Sequence, residues 1–135
     1  MNHDRLTIRA VSQAWGDAFR KGEASPNRLL GDFLDDFRLR SHTNEEKMAL
    51  VKEEPQWMGP DEQPDCNAYW AAVVELLCRE AGLTPPAWTE LPRCYLHRPW
   101  FAGGLEDLKA ILLAESPVPF RRRNLFVSAN ALVRI

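Results

Sequence analysis

Arg121, Arg122 and Arg123 stand in succession between Phe120 and Asn124, inside Ser116-Pro117-Val118-Pro119-Phe120-Arg121-Arg122-Arg123-Asn124-Leu125-Phe126-Val127. Each guanidinium is a planar fork suited to a carboxylate or a phosphate. Three neighbouring residues point in different directions on any backbone. Two readings follow. In one, the arginines contact a partner or an anion, anchored by Phe120 and Phe126. In the other, one or two of them tie this tail to Asp32, Asp35, Asp36 or Glu115, because arginine–carboxylate pairing is strong and directional. Asn124 tolerates the left-handed conformation that a sharp turn requires. His97-Arg98-Pro99-Trp100-Phe101 forms a second cluster. Adjacent aromatics cannot both face inward on a helix, so either the chain turns and buries both, or one is exposed. An exposed tryptophan beside arginine has the composition of an interface hot spot. Burial is nevertheless expected of Trp100, because five tryptophans need a core to occupy. The candidate partner-binding residues are therefore Trp100, Phe101, Phe120, Arg121, Arg122, Arg123 and Asn124.

Other chemistry is weakly supported. Cys94 and His97 have the Cys-x-x-His spacing of half a zinc site, and no second Cys/His pair completes it. As a nucleophile and base they are too close in sequence and lack an orienting partner. A half-buried thiol and a surface or hydrogen-bonded imidazole are the expected outcome. Asp35 and Asp36 have the type of pair used in acid–base work. Here they alternate with Phe33 and Phe37 on an amphipathic helix, and Asp32, Asp35 and Asp36 share its polar face. Solvent or an arginine is their expected destination. Gly103-Gly104 precedes a helix whose N-terminus could accept an anion, but Glu106 and Asp107 would repel a phosphate and instead favour the helix dipole. The chain has no phosphate-binding glycine loop, no Gly-x-Ser-x-Gly elbow and no His-Glu-x-x-His helix. No catalytic residue, metal or cofactor is expected, and the chain is read as non-enzymatic.

The elements that would position these groups are helices punctuated by proline and glycine. Asp4 is expected to cap a helix from about Arg5 to Lys21, with an apolar stripe of Leu6, Ala10, Val11, Ala14, Trp15, Ala18 and Phe19, ended by Gly22. Ser25 is expected to cap a second helix that has Pro26 at its first position and Leu29, Leu30, Phe33, Leu34 and Phe37 as its stripe. Thr43 and Glu46 form a capping-box pattern for a short third helix. Residues 54 to 64 read as a loop. Asp65 is expected to cap a fourth helix, with Tyr69, Trp70, Val73, Leu76, Leu77 and Ala81 on its apolar face and Gly82 at its end. Thr84 to Trp88 reads as a rigid extended connection. Residues 91 to 104 read as turns with a short strand or helical turn, and Leu105 to Ala114 as a helix. Pro117 opens a short helical turn through Arg122, Leu125-Phe126-Val127 a short strand, and Ser128 caps a final turn.

The expected fold is thus mainly α: a compact single-domain helical bundle of five or six helices over residues 1–135, with an irregular C-terminal segment. A chain of this length buries roughly two-thirds of its unfolded surface without disulfide or metal. Cys66, Cys78 and Cys94 are odd in number and widely spaced, which fits a reducing cytoplasm. No apolar stretch at the N-terminus reads as a secretory signal, and no run has the length of a membrane span. A cytoplasmic protein that does not contact membrane is expected. Formal net charge is -2, which gives no general attraction to nucleic acid. The charge is nevertheless uneven: residues 91–135 hold seven Lys/Arg against three Asp/Glu, and the first ninety hold ten against sixteen. A locally basic end on an acidic body suits a partner contact on either face, or pairing of one with the other.

Phe33-Leu34-Asp35-Asp36-Phe37, Pro86-Ala87-Trp88, Pro99-Trp100-Phe101, and Glu115-Ser116-Pro117 followed by Phe120-Arg121-Arg122-Arg123-Asn124-Leu125-Phe126-Val127 are spread over residues 33 to 127 of the chain. In this pattern the chain resembles a family of small, largely uncharacterised bacterial helical proteins linked to toxin–antitoxin or defence loci. The resemblance implies a bacterial source and a protein-binding role, and it assigns no catalytic residues. The leading expectation is a protein-interaction module, an antitoxin-like partner of another bacterial protein. The alternatives are a nucleic-acid-binding regulator that uses the basic C-terminal segment, and an enzyme with a site assembled from scattered Asp, Arg and His.

Overall fold

The computed structural model describes residues 5–101 and 116–127. The chain is mainly helical. It divides into two compact units, Met1–Trp57 and Met58–Ile135. The expected helix Leu105 to Ala114, Gly103-Gly104 and the Ser128 turn lie outside the described residues.

In the first unit, α1 (Ile8–Arg20) packs on α2 (Asn27–Arg38), and α3 (Asn44–Ala49) follows. The cap of α1 is Thr7, whose hydroxyl accepts the Ala10 N–H at 3.1 Å. Leu6 stays out of the helix because its N–H donates to Asp36 Oδ2 at 2.8 Å. The start expected at Arg5 is thereby moved three residues on. The buried face changes with it: Ile8, Val11, Ser12 and Ala18 are inside, whereas Ala10 and Phe19 are exposed. The cap of α2 is Pro26 itself, with no side-chain bond from Ser25; the Ser25 carbonyl accepts the Asn27 N–H instead. Phe33, Leu34 and Phe37 are buried, as the stripe requires. The capping box of α3 is formed in full, Thr43 Oγ1 accepting the Glu46 N–H and the Glu46 carboxylate accepting the Thr43 N–H. Gly22 ends α1 at φ 68°, in the left-handed region that costs glycine least.

The second unit is built on α4 (Asp65–Glu80). Its cap is Pro64, and Asp65 lies in the first turn, where its charge suits the helix dipole. Burial runs well beyond the expected stripe and takes in Ala68, Ala71, Ala72, Val74 and Glu75. The reason is that several elements pack on α4: two 3-10 turns (Ala87–Glu90 and Pro92–Cys94), the short helix α5 (Val118–Arg121) and strand β2 (Leu125–Phe126). The connection expected to be extended through Trp88 therefore coils from Ala87, and it brings Trp88 and Thr89 inside. Strand β1 (Trp100–Phe101) pairs parallel with β2, Trp100 opposite Leu125 and Phe101 opposite Phe126. The turn between α5 and β2 is set by Asn124 at φ 65°, the one non-glycine residue with positive φ among those described. Its amide also donates to the Leu96 carbonyl at 2.7 Å. Asn124→Ala is expected to lower stability by roughly 1–3 kcal/mol through the left-handed penalty and the lost bond. Asn124→Gly should lose less, and chemical denaturation of the two variants separates the terms.

Candidate functional site

The arginine run is placed by α5 and the Asn124 turn, and it falls against α4 at Glu75. Glu75 is a carboxylate in the middle of the apolar run Ala71-Ala72-Val73-Val74-Glu75-Leu76-Leu77, and it is 2% exposed. Three guanidinium groups converge on it. Arg79, one turn on, donates Nε to Oε2 at 2.7 Å; Arg122 and Arg123 donate Nη1 to Oε1 at 2.8 and 2.5 Å. An isolated carboxylate could not stay charged at that depth. Burial alone pushes the Glu75 carboxyl up, and the hydrogen bonds from Arg123, Arg79 and Arg122 reverse this and hold it at about 2.

Arg123 is fully buried. Beyond Glu75 it donates to the carbonyls of Pro119 at 2.8 Å and Thr89 at 3.0 Å, and its guanidinium lies 5.1 Å from the centre of the Tyr95 ring. Its buried Nε makes no hydrogen bond to the described residues. Arg122 reaches outward. It donates to both oxygens of Glu90, each at 3.0 Å, and to the Tyr95 hydroxyl at 2.8 Å. Tyr95 in turn donates its hydroxyl to Glu90 Oε2. The Glu90 carboxyl is held below its ordinary value first by Tyr95, then by Arg122 against partial burial. Pairing with Glu90 raises the Arg122 guanidinium further. The result is a chain of charge from buried Glu75 through Arg122 and Arg123 to Glu90, which is 50% exposed.

The candidate residues divide accordingly. Phe120 is fully buried and meets Tyr69 edge to face, so it holds α5 on α4. Arg123 and Arg122 are committed to internal carboxylates. The acceptors are Glu75 and Glu90, where sequence reading named Asp32, Asp35, Asp36 and Glu115. Arg121 is exposed and forms no ion pair with the described residues. Asn124 shapes the turn. Phe101 stacks on Phe126 with ring centres 5.0 Å apart. Burial was expected of Trp100, but it is 39% exposed. Successive residues of a strand face opposite sides, so stacking Phe101 on Phe126 turns Trp100 the other way. Its N–H is fixed to the Asn124 carbonyl at 2.8 Å.

Cys94 and Asp36, which belong to the weaker motifs, are both buried and hydrogen-bonded. Cys94 is fully buried, its thiol donates to the Trp88 carbonyl at 3.4 Å, and burial pushes it up to about 11. His97 is exposed, and the described residues contain no cluster of metal-ligating side chains. Asp36 does not lie on the solvated face. It is fully buried and accepts from Leu6 N–H and from Arg40 Nη1 at 2.7 Å, so the arginine half of that expectation holds. Sequence reasoning passed over Glu75, Glu90 and Tyr95. The signal for Glu75 was its position, since a carboxylate within a seven-residue apolar run needs a cation. Searches of protein-family models, curated proteins and solved structures find no match to this chain.

Proposed function

We propose that the chain is a non-enzymatic protein-interaction module whose contact surface centres on Trp100. The observation that supports it is a large aromatic left 39% exposed on a backbone held in place by its bond to Asn124. Arg98, two residues before it, is exposed and has no ion-pair partner among the described residues. A tryptophan and an arginine presented on fixed backbone lose little conformational freedom on binding, which is what makes such residues dominate an interface. Val118 and Arg121, both exposed, sit on the helix that leads into the partner strand of Trp100. The charge cluster supports the same reading as a brace: it stiffens the segments that carry Trp100 and Arg121. Two of the three successive arginines are paired with carboxylates of the chain, which leaves less basic surface than a nucleic-acid regulator would use. The resemblance of the C-terminal block directs the search to a bacterial toxin or defence protein.

The test is co-purification of the tagged chain with its neighbouring gene products, with and without nuclease. A stoichiometric protein complex that survives nuclease is expected. Trp100→Ala should weaken it about 30-fold, the effect of a hot-spot residue worth about 2 kcal/mol. An unchanged affinity, or recovery of nucleic acid that nuclease removes, would reject the proposal.

A further inference from the structure

We infer that Arg122, Arg123 and Tyr95 form a receptor for a carboxylate of an acidic peptide segment, and that Glu90 is the internal stand-in that occupies it. The inference rests on the protein-interaction reading and names the chemistry of the partner. Three observations carry it. The first is balance. In the connected network of Arg79, Arg122, Arg123, Glu75 and Glu90, three guanidinium groups face two carboxylates, so a further anion is favoured there.

The second is access. The two carboxylates differ: Glu75 is sealed at 2% exposure, whereas Glu90 is at 50% and Arg122 at 34%. Glu90 is held from one side by Arg122 and the Tyr95 hydroxyl, and Arg123 Nη2 stands 3.6 Å from it. Of these groups Arg122 presents its planar fork and Tyr95 its hydroxyl at the protein surface, with the buried Arg123 behind them. Carboxylate exchange there breaks no buried contact of Glu75. Glu90 is the last residue of a 3-10 turn and its half-exposed side chain has solvent to turn into.

The third is reach. Tyr95 and Trp100 are five residues apart on one segment, which spans at most about 18 Å when extended. An extended hexapeptide covers that distance. It can therefore set a carboxylate on Arg122 and an apolar side chain against Trp100 together. Arg98, exposed between the two, adds a cation along the same line. The occupant that fits is an acidic segment with an apolar residue, and Glu90 competes with it.

The probe is an acetylated, amidated hexapeptide of five glutamates and one leucine, titrated into the full chain by calorimetry at low salt. Glu90→Gln should bind it at least about tenfold more tightly than the wild type, because the competitor is gone. Adding Arg122→Gln to that variant should remove the gain. An unchanged affinity in Glu90→Gln overturns the receptor. So does a gain that survives Arg122→Gln, since the peptide is then held by other groups, or one that the exposed, remote Lys52→Gln removes equally, since it then reports net charge alone. Inorganic phosphate binding Glu90→Gln as tightly as the peptide overturns the peptide assignment. Failure here is distinct from failure of the interaction reading: if Trp100→Ala weakens the native complex while Glu90→Gln is silent, the receptor alone falls.

Discussion

Replacing Glu75 by glutamine is expected to cost about 3–5 kcal/mol and to unfold residues 58–135 at clearly lower urea. The variant keeps the shape of the side chain but removes the charge, leaving the fully buried Arg123 only the more distant Glu90, at 3.6 Å, as a counter-ion. Breaking one side of a buried ion pair carries a penalty of that size, larger than the net worth of the pair itself. The same argument fixes two companion results. Removing both charges, as Glu75→Leu with Arg123→Met, should cost less than Glu75→Leu alone, because the buried guanidinium is no longer left without Glu75. The wild type should also lose its advantage over Glu75→Gln in acid. The Glu75 carboxyl is held at about 2 in the folded chain against an ordinary value of 4.5. A carboxyl depressed by folding stabilises above its unfolded value and loses that contribution as pH falls through its folded value. The stabilisation, about 3 kcal/mol on this difference, is therefore complete above about pH 5. It disappears between there and about pH 2. Urea titrations at pH 7 and pH 3, followed by the fluorescence of buried Trp70 and Trp88, measure both effects. Equal midpoints for wild type and Glu75→Gln at pH 7 would show that the arginines find other partners.

Asp36→Ala should lower the stability of the first unit by about 3 kcal/mol. Asp36 performs two tasks from a fully buried position: it accepts the Leu6 N–H before α1 begins, and it holds Arg40 one turn beyond itself. Hydrogen bonds to a charged acceptor contribute roughly 1.5–3 kcal/mol each, and the alanine leaves the Leu6 N–H without its acceptor. The Asp36 backbone carbonyl, which accepts from Ser41 Oγ at 2.9 Å, is untouched. Hydrogen exchange of Leu6, Thr7 and Ile8 should accelerate first, since the entry to α1 depends on this carboxylate. Protection unchanged at Leu6 would remove Asp36 as the anchor.

Much of the local structure was legible in the sequence because its causes are local. The capping box at Thr43 and Glu46 is three residues long and forms as read. Gly22 and Gly82 end their helices in the left-handed region, and Asn124 makes its turn the same way. Pro117 opens a helical turn, and a strand at Leu125 follows. The errors lie where a distant group enters. The start of α1 depends on Asp36, thirty residues away. The coil at Ala87 depends on packing against α4.

The candidate site divides along the same line. Sequence alone determined that three adjacent arginines must spread in different directions, and it left open whether carboxylates of the chain or a partner would claim them. It also determined the mainly helical class, through the period of the apolar residues. Which carboxylates, and which arginine has no ion pair among the described residues, only the tertiary structure decided. Arg122 and Arg123 meet Glu75 across 47 and 48 residues of sequence, and no pattern of spacing encodes a contact at that range. The exposure of Trp100 was decided in the same way. A two-residue strand shows no periodicity of its own, and its outward face was chosen when Phe101 found Phe126 in a parallel partner. Short-range sterics and hydrogen bonding fix the elements, whereas the burial of one charge against another is settled only when those elements pack.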